Sequence, residues 1–410
     1  MARTSSKLSY LNNQILFSGF NFIVLFFATR NLSLQDFGEF SYAYSFIPLL
    51  NIPLLVFVNL PILNFYSKWA KINKEDNYLS NNLLICLSIS IITSLILYFI
   101  LVKTKTLESN VFYFVSFFLI YQIYDFIRRV YIVKNRTKAS NFFEIIKIFS
   151  LIFLVTCLGY YSLWGVLSFI MGLIFILVIS NSLYFIFSKI KVFLFNDFKL
   201  ICEESFSFGK WIFLSNAIQT LSSNMYVYIG GIMLTSESIA RLNAPKIFLG
   251  LTTIFLLAMD NYYTPLISHK FHEKKISFKS QLQLIFKDIK VLVLLYPLVS
   301  IILIFFQDNI VSFLFGSDYA QENFLWGFLV IGFLYLLTRP FIILLRVFNK
   351  TKFIFQSSVI VFAIVSLITY PLISNFDTFG ALCIGLIGGF LQLLLFFIYS
   401  LNHYEKLHSR

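Results

Sequence analysis

Eleven ionisable side chains lie inside apolar segments of this 410-residue sequence or at their ends, and their types suit anion binding and ion or proton transfer. Arg339 sits deep in an apolar run and is followed by Pro340; Arg346 comes seven residues later, two helical turns on and on a similar face. Guanidinium forks match phosphate oxygens, so this pair fits an anion contact; the structural alternative is snorkelling to the interface. Asp125 precedes Arg128 and Arg129 by three and four residues, and Glu144 precedes Lys147 by three. Those spacings allow intrahelical ion pairs. If the pairs do not form, Arg128, Arg129 and Lys147 become free cations, and Asp125 and Glu144 become candidate coupling-ion sites. Lys246 and Asp260, fourteen residues apart, also share a helix face. Lys246 then joins the cations, and Asp260 is an ion-coupling candidate. Arg30 and Arg241 mark the ends of apolar hairpins, where they either snorkel or join the cationic set.

The elements that hold these residues follow from composition. Hydrophobic residues make up 59% of the chain and charged residues 12%, about half the charged share of an ordinary soluble domain. Mean hydropathy is +0.82. A single soluble core cannot absorb that much apolar surface, so a soluble enzyme is excluded. Apolar runs of spanning length fall at about 10–29, 38–63, 79–102, 110–131, 141–160, 162–187, 209–233, 239–266, 289–307, 322–346, 353–374 and 378–401. They lack the alternation of barrel strands and read as helices. The expected fold is an all-α integral membrane protein with twelve transmembrane helices.

Loop cations set its orientation. Of 32 Lys and Arg, 25 fall on one side, 5 on the other, and Lys147 and Arg339 lie within spans. The rule that the cation-rich side is cytoplasmic puts both termini and the loops 188–208 and 267–288 inside. The net charge of +13 is therefore mostly topology, and no nucleic-acid partner is expected.

Dividing the chain at 188–208 leaves six spans on each side. The expected domains are an N-terminal bundle over 1–187, a cytoplasmic linker over 188–208 and a C-terminal bundle over 209–410. Weak matches at an offset of 202 residues, Ser67-Lys68 with His269-Lys270 and Pro61 near Pro265, accompany this symmetry. An even number of spans per half makes the repeats parallel, as in transporters that work by alternating access around a central cavity.

The first hairpin carries a more specific signal. Ala28-Thr29-Arg30-Asn31-Leu32-Ser33-Leu34-Gln35-Asp36-Phe37-Gly38-Glu39-Phe40-Ser41-Tyr42 resembles the "A-R-x-L-G-x-x-x-F-G-x-Y" hairpin of polysaccharide flippases. These form a branch of the multidrug/oligosaccharidyl-lipid/polysaccharide exporter superfamily that includes the Wzx-type O-antigen flippases. Ser33 stands where that pattern has Gly, and Phe40 where Tyr is common. The resemblance implies a flippase that moves an undecaprenyl-pyrophosphate-linked oligosaccharide across the bacterial inner membrane, with a cationic cavity and often an ion gradient. A polysaccharide polymerase and a chain-length regulator would be its assembly partners. Arg339, Lys147, Lys246, Arg30, Arg128, Arg129 and Arg346 would line the cavity, and Asp260, Glu144 and Asp125 would be the ion-coupling candidates.

Other signals are weaker. Cys86, Cys157, Cys202 and Cys383 share no close spacing, and His269, His272, His403 and His408 form no HExxH, so no metal or other cofactor is expected. Asp36-Phe37-Gly38 spells DFG without the rest of a kinase. No phosphate-binding loop points to ATP. Gly385 and Gly389 form a GxxxG of the helix-packing type. Two rivals remain at this stage. A multidrug exporter of the same superfamily should carry more acidic residues in its N-terminal half. A membrane polysaccharide polymerase or glycosyltransferase should carry a large outer loop or a DxD motif, and this chain has neither.

Overall fold

A computed structural model describes residues 2–134, 136–188, 196–273, 277–320, 324–348 and 350–403. The side chains of Arg3, Lys7, His269, His272 and His403, the residues 189–195, and His408 lie outside the described ones. Every regular element among the described residues is a helix. In chain order these are α1 (Ala2–Asn31), α2 (Leu34–Ser45), α3 (Ile47–Leu50), α4 (Ile52–Leu54), a π-helical turn (Leu55–Asn59), α5 (Leu60–Lys71), α6 (Glu75–Lys103), a 3-10 turn (Glu108–Asn110) and α7 (Val111–Val133). There follow α8 (Thr137–Tyr160), α9 (Val166–Ser188), α10 (Phe198–Met233), α11 (Ser236–Glu273), α12 (Phe278–Asp288), α13 (Lys290–Phe305), α14 (Gln307–Phe315), a 3-10 turn (Ser317–Tyr319), α15 (Leu325–Val347) and α16 (Thr351–His403).

Eight helical stretches among the described residues are long and apolar enough to cross a membrane. Their outer faces carry bare apolar side chains, such as Ile91, Ile92, Leu95 and Phe99 on α6 and Phe149 and Phe153 on α8. Surfaces of that kind are stable against hydrocarbon and not against water, so the chain is a multi-pass membrane protein. α10 is not among the eight, because Asn216, Gln219, Ser222, Ser223 and Asn224 interrupt its apolar sequence.

The chain forms two compact units, Met1–Ala217 and Ile218–Arg410. The boundary between these units falls inside α10. The start of α10 packs within the first unit: Phe206 and Phe213 lie 5.9 and 5.5 Å from Phe57, and Phe208 lies 5.4 Å from Phe65. Lys68 pairs with Glu204 at 2.7 Å and Lys74 with Asp197 at 2.8 Å. Trp69 Nε1 donates to Glu204 at 3.2 Å. The start of α10 is thereby fastened to α5 and the α5–α6 turn of the first unit.

In the first unit α7 packs against α6 and α9, and α1 against α8. The hairpin motif has a local role. Ser33 caps α2 by accepting from Asp36 N at 3.1 Å, as cap residues do. Phe37, Gly38 and Phe40 are buried, and Phe40 meets Phe114 and Phe169 edge-on. The next stretch is broken: Pro48, Pro53 and Pro61 each lack an N–H, and the chain advances through short pieces and the π-turn before α5 resumes.

In the second unit α15 is central. Leu336, Phe341, Ile343 and Leu345 form one core with Leu256, Met259 and Tyr263 of α11, Phe278 and Ile285 of α12, and Ile354 and Phe396 of α16. Pro340 lies inside α15 without interrupting it, because the helix is enclosed on several sides. α16 turns sharply at Asp377, whose φ of 48° is unusual for a non-glycine residue.

Gly380 lies against this turn, and a Cβ there would run into the Leu372 carbonyl oxygen. We expect Gly380→Ala to destabilise the protein by about 1–3 kcal/mol through overpacking. Gly250→Ala, with open space around it, should leave stability unchanged or slightly raised. Thermal unfolding of the two variants in detergent would show equal shifts if the turn were permissive.

Candidate functional site

The first unit holds five charges near one another, four of them buried and Arg129 half-buried. Asp125 and Arg128 lie one turn apart on α7, and Arg128 Nη2 donates to Asp125 Oδ1 at 2.7 Å. The Arg128 side chain is 1% exposed and that of Asp125 4%, so neither is hydrated. The pair holds only because the remaining valences are filled. Asn59, on the π-turn, donates to Asp125 Oδ2 at 2.7 Å. Arg128 Nη1 donates to Asn13 Oδ1 of α1 at 2.9 Å, and Asn13 Nδ2 donates to Ser140 Oγ of α8 at 2.8 Å. Tyr184 of α9 closes the chain by donating to the Ser140 carbonyl at 2.9 Å.

The second pair lies next to the first. Lys147 Nζ is 2.7 Å from Glu144 Oε2, and both side chains are fully buried. The Tyr124 hydroxyl donates to Glu144 and accepts from Lys147 at 2.7 Å. Aromatic faces take part of the charge: Phe17 lies 4.0 Å from Arg128, and Phe20 lies 4.1 Å from Lys147.

Arg129 is different. Its Nε is 3.6 Å from Asp125 Oδ1, too far for a hydrogen bond, and no other partner meets that nitrogen. Three cations thus face two carboxylates in this cluster, and Arg129 carries the least compensated charge.

In the second unit Asp260 of α11 is gripped by α15. Arg339 binds it with two guanidinium nitrogens, through Nε–Oδ1 at 2.6 Å and through Nη2 to Oδ2. Arg346 reaches Asp260 Oδ2 at 3.3 Å from two turns away. Arg339 and Arg346 therefore do share a face, and one carboxylate serves both. Lys246, further back on α11, is half-buried and donates to the neutral Asn224 Oδ1 at 3.0 Å. The Tyr226 ring lies 5.3 Å from it. Among the described residues no carboxylate pairs with Lys246. Among the described residues, Asp260 is thus the carboxylate that meets Arg339 and Arg346, and Lys246 meets none. Arg30 is exposed at the end of α1.

The structure adds the neutral groups that hold these charges. Asn13, Asn59, Tyr124, Ser140, Tyr184 and Asn224 had no signal of their own, except that Asn59 stands beside Pro61 in an otherwise apolar stretch. No group of three or more His, Cys, Asp or Glu among the described residues could hold a metal ion.

No protein-family model matches the sequence, and neither does any curated protein. Solved structures do match in fold. An inward-facing multidrug resistance MATE family transporter of the MOP superfamily superposes with a TM-score of 0.74 at 12% identity, covering 98% of this chain and 95% of that one. The lipid II flippase MurJ in an inward closed conformation gives 0.73 at 15% identity, covering 99% and 90%. A MOP superfamily transporter from Pyrococcus furiosus, whose binding pocket is described as of reverse polarity, gives 0.65 at 12% identity over 98% and 95%. The chain has the fold of these transporters.

Replacing Asp125 by Ala would leave Arg128 buried without its counter-charge, a loss of about 3–5 kcal/mol. Removing both, as Asp125→Ala with Arg128→Met, should cost clearly less than the two single changes added together. Thermal unfolding of the four proteins of this cycle measures the coupling, and additive losses would show that the pair is not the stabilising unit.

Proposed function

We propose that this chain is a flippase for a polyprenyl-pyrophosphate-linked oligosaccharide, such as the repeat unit of an O-antigen or another surface polysaccharide. The observation that supports the reading is the surplus of cations over carboxylates in the charged cluster of each unit. Arg129 and Lys246 lack a full counter-charge, and Arg346 shares Asp260 with Arg339. An uncompensated charge in hydrocarbon costs about 2.5–3.5 kcal/mol on insertion scales. A substrate that supplies two or more negative charges removes that cost while it is bound. A pyrophosphate joined to a sugar does so, and it cannot cross hydrocarbon unaided.

In this reading the chain is a transporter and not an enzyme, and no cofactor is needed. Twelve spans in two six-helix halves, both termini cytoplasmic, sit in a bacterial cytoplasmic membrane. The halves alternate access while the polyprenyl tail stays in lipid. Arg339 is the principal pyrophosphate contact. Arg346 and Lys246 add to the positive charge of the same unit; in the first unit Arg129, Lys147 and Arg128 supply the cations, with Arg30 at the end of α1. Asp260 is released from Arg339 when pyrophosphate takes its place, which makes it the leading candidate for an ion-coupled step; Glu144 and Asp125 are secondary. A polysaccharide polymerase and a chain-length regulator would take up the product.

A second reading, a multidrug exporter of the same superfamily, is favoured by the likeness to MATE transporters. Its cationic substrates would meet repulsion from the surplus cations.

Deletion of the gene should trap lipid-linked repeat units on the cytoplasmic side and abolish the surface polymer. Complementation with Arg339→Ala should restore flux about 10–100-fold less well than the parent, the loss of one charged hydrogen-bonding group; Arg339→Lys should be intermediate. Extraction of polyprenyl-linked sugars together with a surface-glycan assay reads both. Unchanged surface glycan with heightened drug sensitivity would turn the assignment to the exporter.

A further inference from the structure

The second unit presents a surface that the transport reading does not use. α12 buries Phe278, Gln281 and Ile285. Its aromatic residues fix it to α15: Phe278 meets Phe348 at 5.6 Å and Phe286 meets Phe341 at 6.0 Å, both edge-on. The opposite face is exposed and basic. Lys279, Gln283 and Lys287 follow one another at four-residue steps and so form one stripe. Lys290 continues it, exposed, at the head of α13. The sequence adds Lys270, Lys274 and Lys275 just before α12; their side chains lie outside the described residues.

Directly beyond the stripe the chemistry changes. α13 exposes Val291, Leu294, Leu295, Leu298, Ile301, Ile302 and Phe305. Only 6% of the apolar window of this span is buried within the protein, against 28–67% for the other seven. A basic edge followed at once by a bare apolar helix matches a phospholipid in both order and sign. The headgroup meets the lysines and the acyl chains run along α13.

We propose that α12 and the head of α13 form a docking surface for an anionic phospholipid of the cytoplasmic leaflet. The leaflet follows from the cation asymmetry of the loops; the surface itself does not depend on what the protein transports. It also has a route to the charged cluster. Tyr263 of α11 donates to Asp288, the last residue of α12, at 3.4 Å, and α15, which α12 packs against, carries Arg339 and Arg346. A lipid that steadies α12 steadies the helices that grip Asp260.

The test uses the full chain, purified in detergent with phosphatidylglycerol and phosphatidylcholine supplied in equal amounts. Native mass spectrometry counts the lipids retained. A lysine at an anionic surface is worth about fivefold in binding. The parent should retain phosphatidylglycerol preferentially, and Lys279→Gln, Lys287→Gln and Lys290→Gln together should reduce that preference at least tenfold. Lys287→Gln alone should give about a fivefold loss if the triple variant does not fold. A charge-matched control, Lys71→Gln, Lys138→Gln and Lys352→Gln, removes exposed lysines from scattered helix ends and should change the preference less than twofold. Equal loss in both triple variants, or no loss in the first, would overturn the proposal. So would full displacement of the lipid by soluble glycerol phosphate, which would indicate a bare phosphate site.

Discussion

Arg128 is almost wholly buried among the helices of the first unit, and a guanidinium cannot lose its proton to escape the cost. Its charge must be met where it stands. Asp125 supplies the counter-charge from one turn away, and the remaining groups follow from the need to fill both partners' hydrogen bonds. Asn59 can reach Asp125 because the π-turn and the three nearby prolines break the regular ladder of that stretch. Asn13 of α1 and Ser140 of α8 are drawn into the same chain of bonds. A single buried ion pair thus fixes how several helices of the first unit meet.

The second unit meets the same constraint with different parts. Its carboxylate and its arginines lie on different helices, so the ion pair between α11 and α15 is also a tertiary contact. This arrangement is partly exposed, with about 18% of Arg339 and 17% of Asp260 accessible. The pair in the first unit is closed off. A closed pair serves structure, whereas one that an anion can reach is open to exchange. The difference in exposure is why Arg339 and Asp260 are proposed for the leading roles, and Arg128 and Asp125 for secondary ones.

Much of this was legible in the sequence, for identifiable reasons. Apolar run length and spacing within one helix are local properties, so the helical membrane character could be read directly, and the pairs Asp125–Arg128 and Glu144–Lys147 stood as one of the two readings that their spacing allows. The shared face of Arg339 and Arg346 was likewise a matter of two turns. What they grip was not, since Asp260 lies 79 residues from Arg339 in the chain. Neither was the packing of Phe206, Phe208 and Phe213 against residues about 150 positions earlier. Asn59 and Tyr124 are common residues whose importance comes only from the charges that the fold brings to them.

The central claim is that surplus membrane cations select an anionic, lipid-linked substrate. It is tested most directly in proteoliposomes of the purified chain, by following translocation of a fluorescent polyprenyl-pyrophosphate oligosaccharide beside uptake of a lipophilic cation. The account predicts translocation of the pyrophosphate lipid, sharply reduced in Arg339→Ala, and no protein-dependent movement of the cation. Protein-dependent cation transport that persists in Arg339→Ala, with no movement of the pyrophosphate lipid, would contradict it.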